Sequence, residues 1–109
     1  MPSRVCYHSP MMKFTVILAP EVERGYSVIC PAIPGCVSQG DSLEDAVASI
    51  REAILLCLDV RKDEGLPLPV ETPDVVAEEI LACLRDRAEE GLPLTIETRE
   101  VELEAVVAV

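Results

Sequence analysis

From Phe14 to Leu18 the chain reads Phe-Thr-Val-Ile-Leu, a β-branched, apolar run typical of a strand. A polar connection from Pro20 to Gly25 follows. Tyr26 to Cys30 reads as a second strand, close enough to make the two an antiparallel hairpin. Pro31 and Pro34 each lack an amide hydrogen, so this end of the second strand is expected at a sheet edge or a bulge. Gly35 gives a turn, Cys36 to Gln39 a short third strand, and Gly40 closes it. The period then changes from 2 to about 3.6. Leu43, Ala46, Val47, Ile50, Ile54, Cys57 and Leu58 share one helical face. Ser42 is the N-cap, with Asp45 three residues on to complete a capping box. Gly65 ends the helix, and Pro67 forbids its continuation.

The next stretch repeats what came before. Residues 52–72 align with residues 78–98 at a constant offset of 26: Glu-Gly-Leu-Pro-Leu at 64–68 recurs at 90–94, Ile54-Leu55 as Ile80-Leu81, Cys57-Leu58 as Cys83-Leu84, and Glu71-Thr72 as Glu97-Thr98. Two copies fall short of a solenoid, which needs about three repeats. They predict a second helix capped by Thr72, with Pro73 at its first position, ending near Glu90. Val76, Ile80, Cys83 and Leu84 form its apolar stripe. A final strand runs from Glu100 to Val109, with Val101, Leu103, Ala105 and Val107 on one face. The order strand, strand, strand, helix, helix, strand makes an α+β layer, expected with both helices on one face of the sheet. Residues 1–11 read as a tail, and 12–109 as one domain carrying the duplicated segment at about 73–98. Met11-Met12 directly before the first strand makes a later translation start an expectation, which intact mass from the native host would check.

Composition narrows the function. Nine basic against twenty acidic residues give a formal charge of −11, a field that repels phosphate backbones and attracts basic partners. With no Trp, one Phe and two Tyr, the core has to be built from aliphatic side chains. Five cysteines, an odd number with no C-x-x-C pair, indicate neither a disulfide framework nor a structural zinc site, and point to a reducing compartment. No apolar run is long enough to span a membrane, and the first ten residues carry no signal-like block, so the cytoplasm is the expected location.

No residue set for catalysis emerges, and no cofactor or metal is expected. Two-metal hydrolysis needs carboxylates converging from strand ends and a helix, whereas the first strand has none. Asp41, Glu44 and Asp45 are explained as a turn residue and the acidic start of a helix. Cys36 has no histidine within the ordered pattern to activate it, so a packed strand cysteine is expected. His8 has no neighbouring ligand.

The run from Met12 to Gly65 resembles the HicB-like antitoxin family. The resemblance rests on Met-Lys-Phe-Thr-Val-Ile at 12–17, Gly25-Tyr26-Ser27-Val28, and Pro31-Ala32-Ile33-Pro34-Gly35-Cys36-Val37-Ser38-Gln39-Gly40-Asp41-Ser42. Leu43-Glu44-Asp45-Ala46 and Glu52-Ala53-Ile54 continue it. Pro31, Pro34, Gly35, Cys36, Gly40, Ser42, Glu44 and Ala46 are its signature, placed for backbone reasons and not as a site. It implies a truncated RNase H-like fold, dimers or tetramers, and an antitoxin that neutralises a basic HicA-type, mRNA-cleaving toxin by direct contact. An orphan oligomeric interaction module without a toxin is the alternative, as is a DNA-binding autoregulator. The acidic residues Glu78, Glu79, Glu89 and Glu90 stand where many family members carry a DNA-binding module, which argues against the last.

Overall fold

The computed structural model describes residues 11–104. Its elements are β1 (Met11–Pro20), β2 (Tyr26–Ile29), β3 (Val37–Gly40), α1 (Leu43–Asp63), α2 (Pro73–Glu89) and β4 (Glu97–Glu104). The four strands form one sheet in the order β3-β2-β1-β4, antiparallel throughout. Six elements appear in the expected order. Boundaries move: β3 runs one residue later than expected, and β4 starts at Glu97 and not at Glu100. β1 is twice as long as the apolar run, because β4 pairs with it from Met11 to Leu18, so Met11 belongs to the strand and not to the tail. Pro31 and Pro34 lie in the loop between β2 and β3 and not at a strand end. Residues 1–10, with Cys6 and His8, and residues 105–109, with Ala105 and Val107, lie outside the described residues.

Alternation along β1 divides the sheet. Phe14, Val16 and Leu18 point to one face, here called inner, with Val28 from β2 and Val101 and Leu103 from β4. Ala46, Ile50, Ile54 and Leu58 of α1 close over them, and Leu43, Val47 and Cys57 pack at the margin. This is the stripe that the helical period predicted. It starts where Asp45 N–H donates to Ser42 Oγ at 3.1 Å, and α1 then runs down the inner face away from the Pro20 end.

The second helix goes elsewhere. Ile17 points to the outer face, yet it is only 1% exposed and stands apart from the core under α1. α2 covers that side. At its start, Thr15 N–H and Oγ1 donate to Glu71 Oε1 and Oε2 at 2.6 and 2.8 Å. Near its end, Arg87 donates from Nη1 to the Pro20 carbonyl at 3.1 Å. The helix therefore climbs the outer face from the level of Thr15 to that of Pro20, opposite to the expected placement of both helices on one side. Glu71 also answers a backbone need. β2 pairs with β1 only from Ile17 upward, so the amide of Thr15 lies past its reach, and the carboxylate takes that donor.

The two copies fold alike at their helix ends. Gly65 and Gly91 have φ of +71° and +72°. Leu66 N–H donates to Arg61 O and Leu92 N–H to Arg87 O, both at 2.8 Å, and each glycine amide bonds to the carbonyl three residues back. This is the Schellman closure, which satisfies carbonyls that the helix leaves over. Arg61 Nε then holds Pro67 O at 3.1 Å, and Arg87 Nε holds Pro93 O at 2.6 Å. Leu66, just past the helix end, is half exposed.

The copies differ in what these arginines hold. Arg61 is partly exposed, whereas Arg87 is buried and bridges two carbonyls from different segments. Arg87→Ala is expected to destabilise the fold by about 2 kcal/mol, since buried acceptors lose a charged donor. Arg61→Ala should cost under about 1 kcal/mol. Urea denaturation of the two variants side by side measures the difference, and equal losses would contradict it.

Candidate functional site

The signature residues build two joints at opposite ends of β3. At the lower joint the loop from Cys30 to Cys36 closes on itself. Ile33 N–H donates to Cys30 O, Cys36 N–H to Ile33 O, and Cys30 N–H to Cys36 O, all near 3 Å. Gly35 supplies the left-handed turn at φ +82°, and Pro31 and Pro34 flank the buried Ile33. At the upper joint Gly40 lies against the backbone of Asp45 and Ala46, Ser42 caps the helix, and Ala46 is fully buried. Glu44 is exposed in the first turn, beside Asp45, where acidic charge meets the helix's positive end. Each of these residues holds backbone in place, and none of them converges on a reaction centre.

Among the described residues the cysteines are packed thiols, Cys30 and Cys36 buried and Cys57 and Cys83 partly so. Burial pushes Cys30 up to about 11, against the lowering effect of the Ala32 and Ile33 amides. Burial, followed by the neighbouring Cys57 thiol, pushes Cys36 up to about 12. Cys83 is raised by burial, with Glu79 and Asp86 adding to it. A thiol raised this far holds its proton at neutral pH and is a poor nucleophile. Among the described residues no group of three or more His, Cys, Asp or Glu side chains is placed to hold a metal.

Two concavities among the described residues bear on the site. One, of about 420 Å³, opens beside the upper joint and is lined by Glu21, Arg24, Tyr26, Gln39, Asp41 and Asp45. Its Arg24–Asp41 pair, 3.7 Å apart, is exposed on both sides and adds little stability. The other, of about 350 Å³, lies between Thr15 and the first turns of α2, next to Val76 and Ile80. Its carboxylate, Glu71, is already engaged by Thr15.

The surface itself is the more informative feature. Residues 73–104 carry ten acidic side chains against three basic ones, a net −7 of the chain's −11. On β4, Glu100, Glu102 and Glu104 alternate with buried Val101 and Leu103, so the three carboxylates line the outer face of an edge strand. Lys13 approaches Glu102 at 3.6 Å, an exposed pair. Arg51 of α1 donates to the Glu102 carbonyl, covering part of that open edge. α2 adds Asp74, Glu78, Glu79, Asp86, Glu89 and Glu90. The acidity of this segment is visible in the sequence. Its assembly into one flank of the outer face is not, because that depends on α2 crossing to that side.

The family model for the HicB-like antitoxin of bacterial toxin–antitoxin systems matches residues 14–82. A UPF0150 protein of Synechocystis is 43% identical over 58 residues, which cover 53% of this chain and 73% of that protein. A UPF0150 protein of Thermoplasma acidophilum is 36% identical over 58 residues, covering 53% and 84%. Among solved structures, the N-terminal domain of the Burkholderia pseudomallei antitoxin HicB superposes with a TM-score of 0.54 at 26% identity, over 90% of this chain and 98% of that one. A chain of a HicA3 and HicB3 toxin–antitoxin complex superposes with a TM-score of 0.55 at 21% identity, over 82% and 94%. The last likeness concerns the fold alone.

Proposed function

The chain belongs to the HicB-like antitoxin family of bacterial toxin–antitoxin systems, and from that premise we propose that it is a non-enzymatic, cytoplasmic antitoxin that neutralises a small, basic, RNA-cleaving toxin of the HicA type by covering its surface. The observation that carries this reading is the concentration of negative charge on α2 and the outer face of β4. A surface that must engage an RNA-binding protein gains from presenting carboxylates where the toxin presents cations for phosphates. Complementary fields raise the encounter rate and penalise wrong partners. The same charge repels DNA phosphates, so the chain alone is a poor autorepressor.

Where a small basic protein is encoded beside this chain, co-expression of the two is expected to rescue growth from that protein's toxicity, and the pair should elute as one complex on gel filtration. In the double variant Glu100→Lys and Glu104→Lys the association rate should fall about tenfold at low salt, and less at high salt, because steering is screened. Both positions are exposed, so the fold is expected to stay intact. Absence of a complex with the wild-type chain would leave the orphan-module reading, and a rate insensitive to the double change would remove the acidic flank from the interface.

A further inference from the structure

Three thiols gather at the lower joint. Cys30 and Cys36 face each other across the base of the β2–β3 loop, where Cys30 N–H donates to Cys36 O at 3.0 Å, and both are 1% exposed. Cys57 arrives from α1. Gly40 lies against Ala46 at the upper joint. From there the helix descends about 16 Å to Cys57, while β3 descends about 13 Å to Cys36. A tilt of the helix across the strand brings the two level, and Cys57 packs against the core that contains Cys30 and Cys36. The Cys36 and Cys57 thiols are hydrogen-bond partners there. Access to solvent separates the roles of the three. Cys30 and Cys36 are buried, whereas Cys57 is only partly so, and oxidation starts at the sulfur that an oxidant can reach.

We propose that Cys57 and Cys36 form a peroxide-responsive pair, joining into a disulfide that latches α1 to the base of β3. The oxidant is a hydroperoxide. Cys57 Sγ attacks one peroxide oxygen, the O–O bond breaks, and the other oxygen leaves as water or an alcohol with the thiol's proton, giving Cys57 sulfenic acid. Cys36 Sγ then attacks Cys57 Sγ. The S–S bond forms, the S–O bond breaks, and the Cys36 proton leaves with that oxygen as water. Two thiols lose two electrons, and the peroxide gains them. The Cys36 thiol holds its proton and is a slow nucleophile by itself, but contact makes the step intramolecular. The disulfide closes residues 36–57 into a ring that contains β3, the Gly40 joint, the Ser42 cap and the upper part of α1. A transient disulfide of this kind is compatible with a reducing compartment, where a permanent one is not. The duplication supplies the control. Cys83 matches Cys57 in the repeat, but it sits on α2 over the outer face, while Cys30 and Cys36 lie in the core on the inner face.

The test is a tryptic map of the reduced full chain after stoichiometric hydrogen peroxide, with remaining thiols blocked before digestion. Cleavage after Arg24, Arg51 and Arg61 puts Cys30 and Cys36 on fragment 25–51 and Cys57 on fragment 52–61. The expected result is these two fragments joined, and separated again by dithiothreitol. Fragmentation between Cys30 and Cys36 places the sulfur on Cys36 without any substitution. Cys30→Ala should keep the link, Cys83→Ser should keep it, and Cys36→Ala should leave Cys57 as a sulfinic acid. The link should also lower the unfolding equilibrium constant in urea about 100-fold, as expected for a ring of this size. Fragment 25–51 closed on itself through Cys30 and Cys36 overturns the proposal, as does a link from Cys57 to Cys30, Cys83 or a second molecule. So does overoxidation of Cys57 in the wild-type chain with no link formed. A link that leaves unfolding unchanged removes the latch. None of these readouts involves a toxin, so failure here and failure of the antitoxin reading are separately visible.

Discussion

Gly40→Ala is expected to lower the unfolding free energy by about 3 kcal/mol or more, the largest effect of any single methyl group added to this chain. A Cβ at Gly40 would stand 2.3 Å from the amide nitrogen of Ala46, 2.6 Å from the carbonyl carbon of Asp45 and 2.7 Å from the Ala46 Cα. All three are backbone atoms in the first turn of α1, so no side chain can swing aside. Relief requires the helix start to lift from β3, which breaks the Ser42 cap and uncovers Ala46 and Ile50 together. The requirement is for space, since Gly40 is not among the glycines with positive φ. Gly35 is the control. It has φ +82° with nothing within 4 Å of a built Cβ, so Gly35→Ala carries only the conformational cost of about 1 kcal/mol. Urea midpoints of the two variants separate close approach from backbone conformation, and similar losses at both positions would show that the contact at Gly40 is relieved cheaply.

This close approach explains why the signature run was readable from the sequence while other features were not. Ser42, Gly35, Gly65 and Thr72 act on neighbours within a few residues, so their residue types reveal their roles without any knowledge of topology. The apolar stripe of α1 was legible for the same reason. The position of α2 was not. Val76, Ile80, Cys83 and Leu84 state that one side of that helix is covered, but not by which face of the sheet. The missed signal lay in β1. Val16-Ile17-Leu18 is apolar at three consecutive positions, and a strand buried on both faces loses its alternation. That run called for cover on the outer face, and α2 provides it. Glu71 stands in the sequence only as one member of a repeated Glu-Thr pair, and nothing in the sequence around Arg87 marks it. Their partners, Thr15 and Pro20, are 56 and 67 residues away, and no local pattern encodes such contacts. The acidity of this segment is visible in the sequence, but its gathering on one flank follows only from the crossing of α2.

Deleting residues 73–98 is expected to leave a cooperatively folding domain that is less stable by about 2–3 kcal/mol. α2 contributes no residue to the core beneath α1. What it covers is Ile17, and exposing one large aliphatic side chain costs about that much. The join is geometrically modest. Glu71 sits at the level of Thr15, while Arg99, the first residue kept in β4, pairs with Val16. Thr72 therefore has to shift across β1 by about two strand spacings, roughly 10 Å, and the seven residues after Gly65 allow it. Val70-Glu71-Thr72 would stand in for Ile96-Glu97-Thr98, the triplet it matches in the repeat. The price falls on recognition, because the deletion removes seven acidic and two basic residues and lowers the net charge from −11 to −6. Association with a basic partner should slow by more than in the Glu100→Lys and Glu104→Lys variant, since the helix half of the acidic flank is gone along with its charge. A deletion variant that unfolds without a cooperative transition would make α2 part of the folding unit and defeat this reading. One that folds and binds at the wild-type rate would instead leave β4 alone to carry the partner surface, which follows if the toxin approaches from the sheet edge.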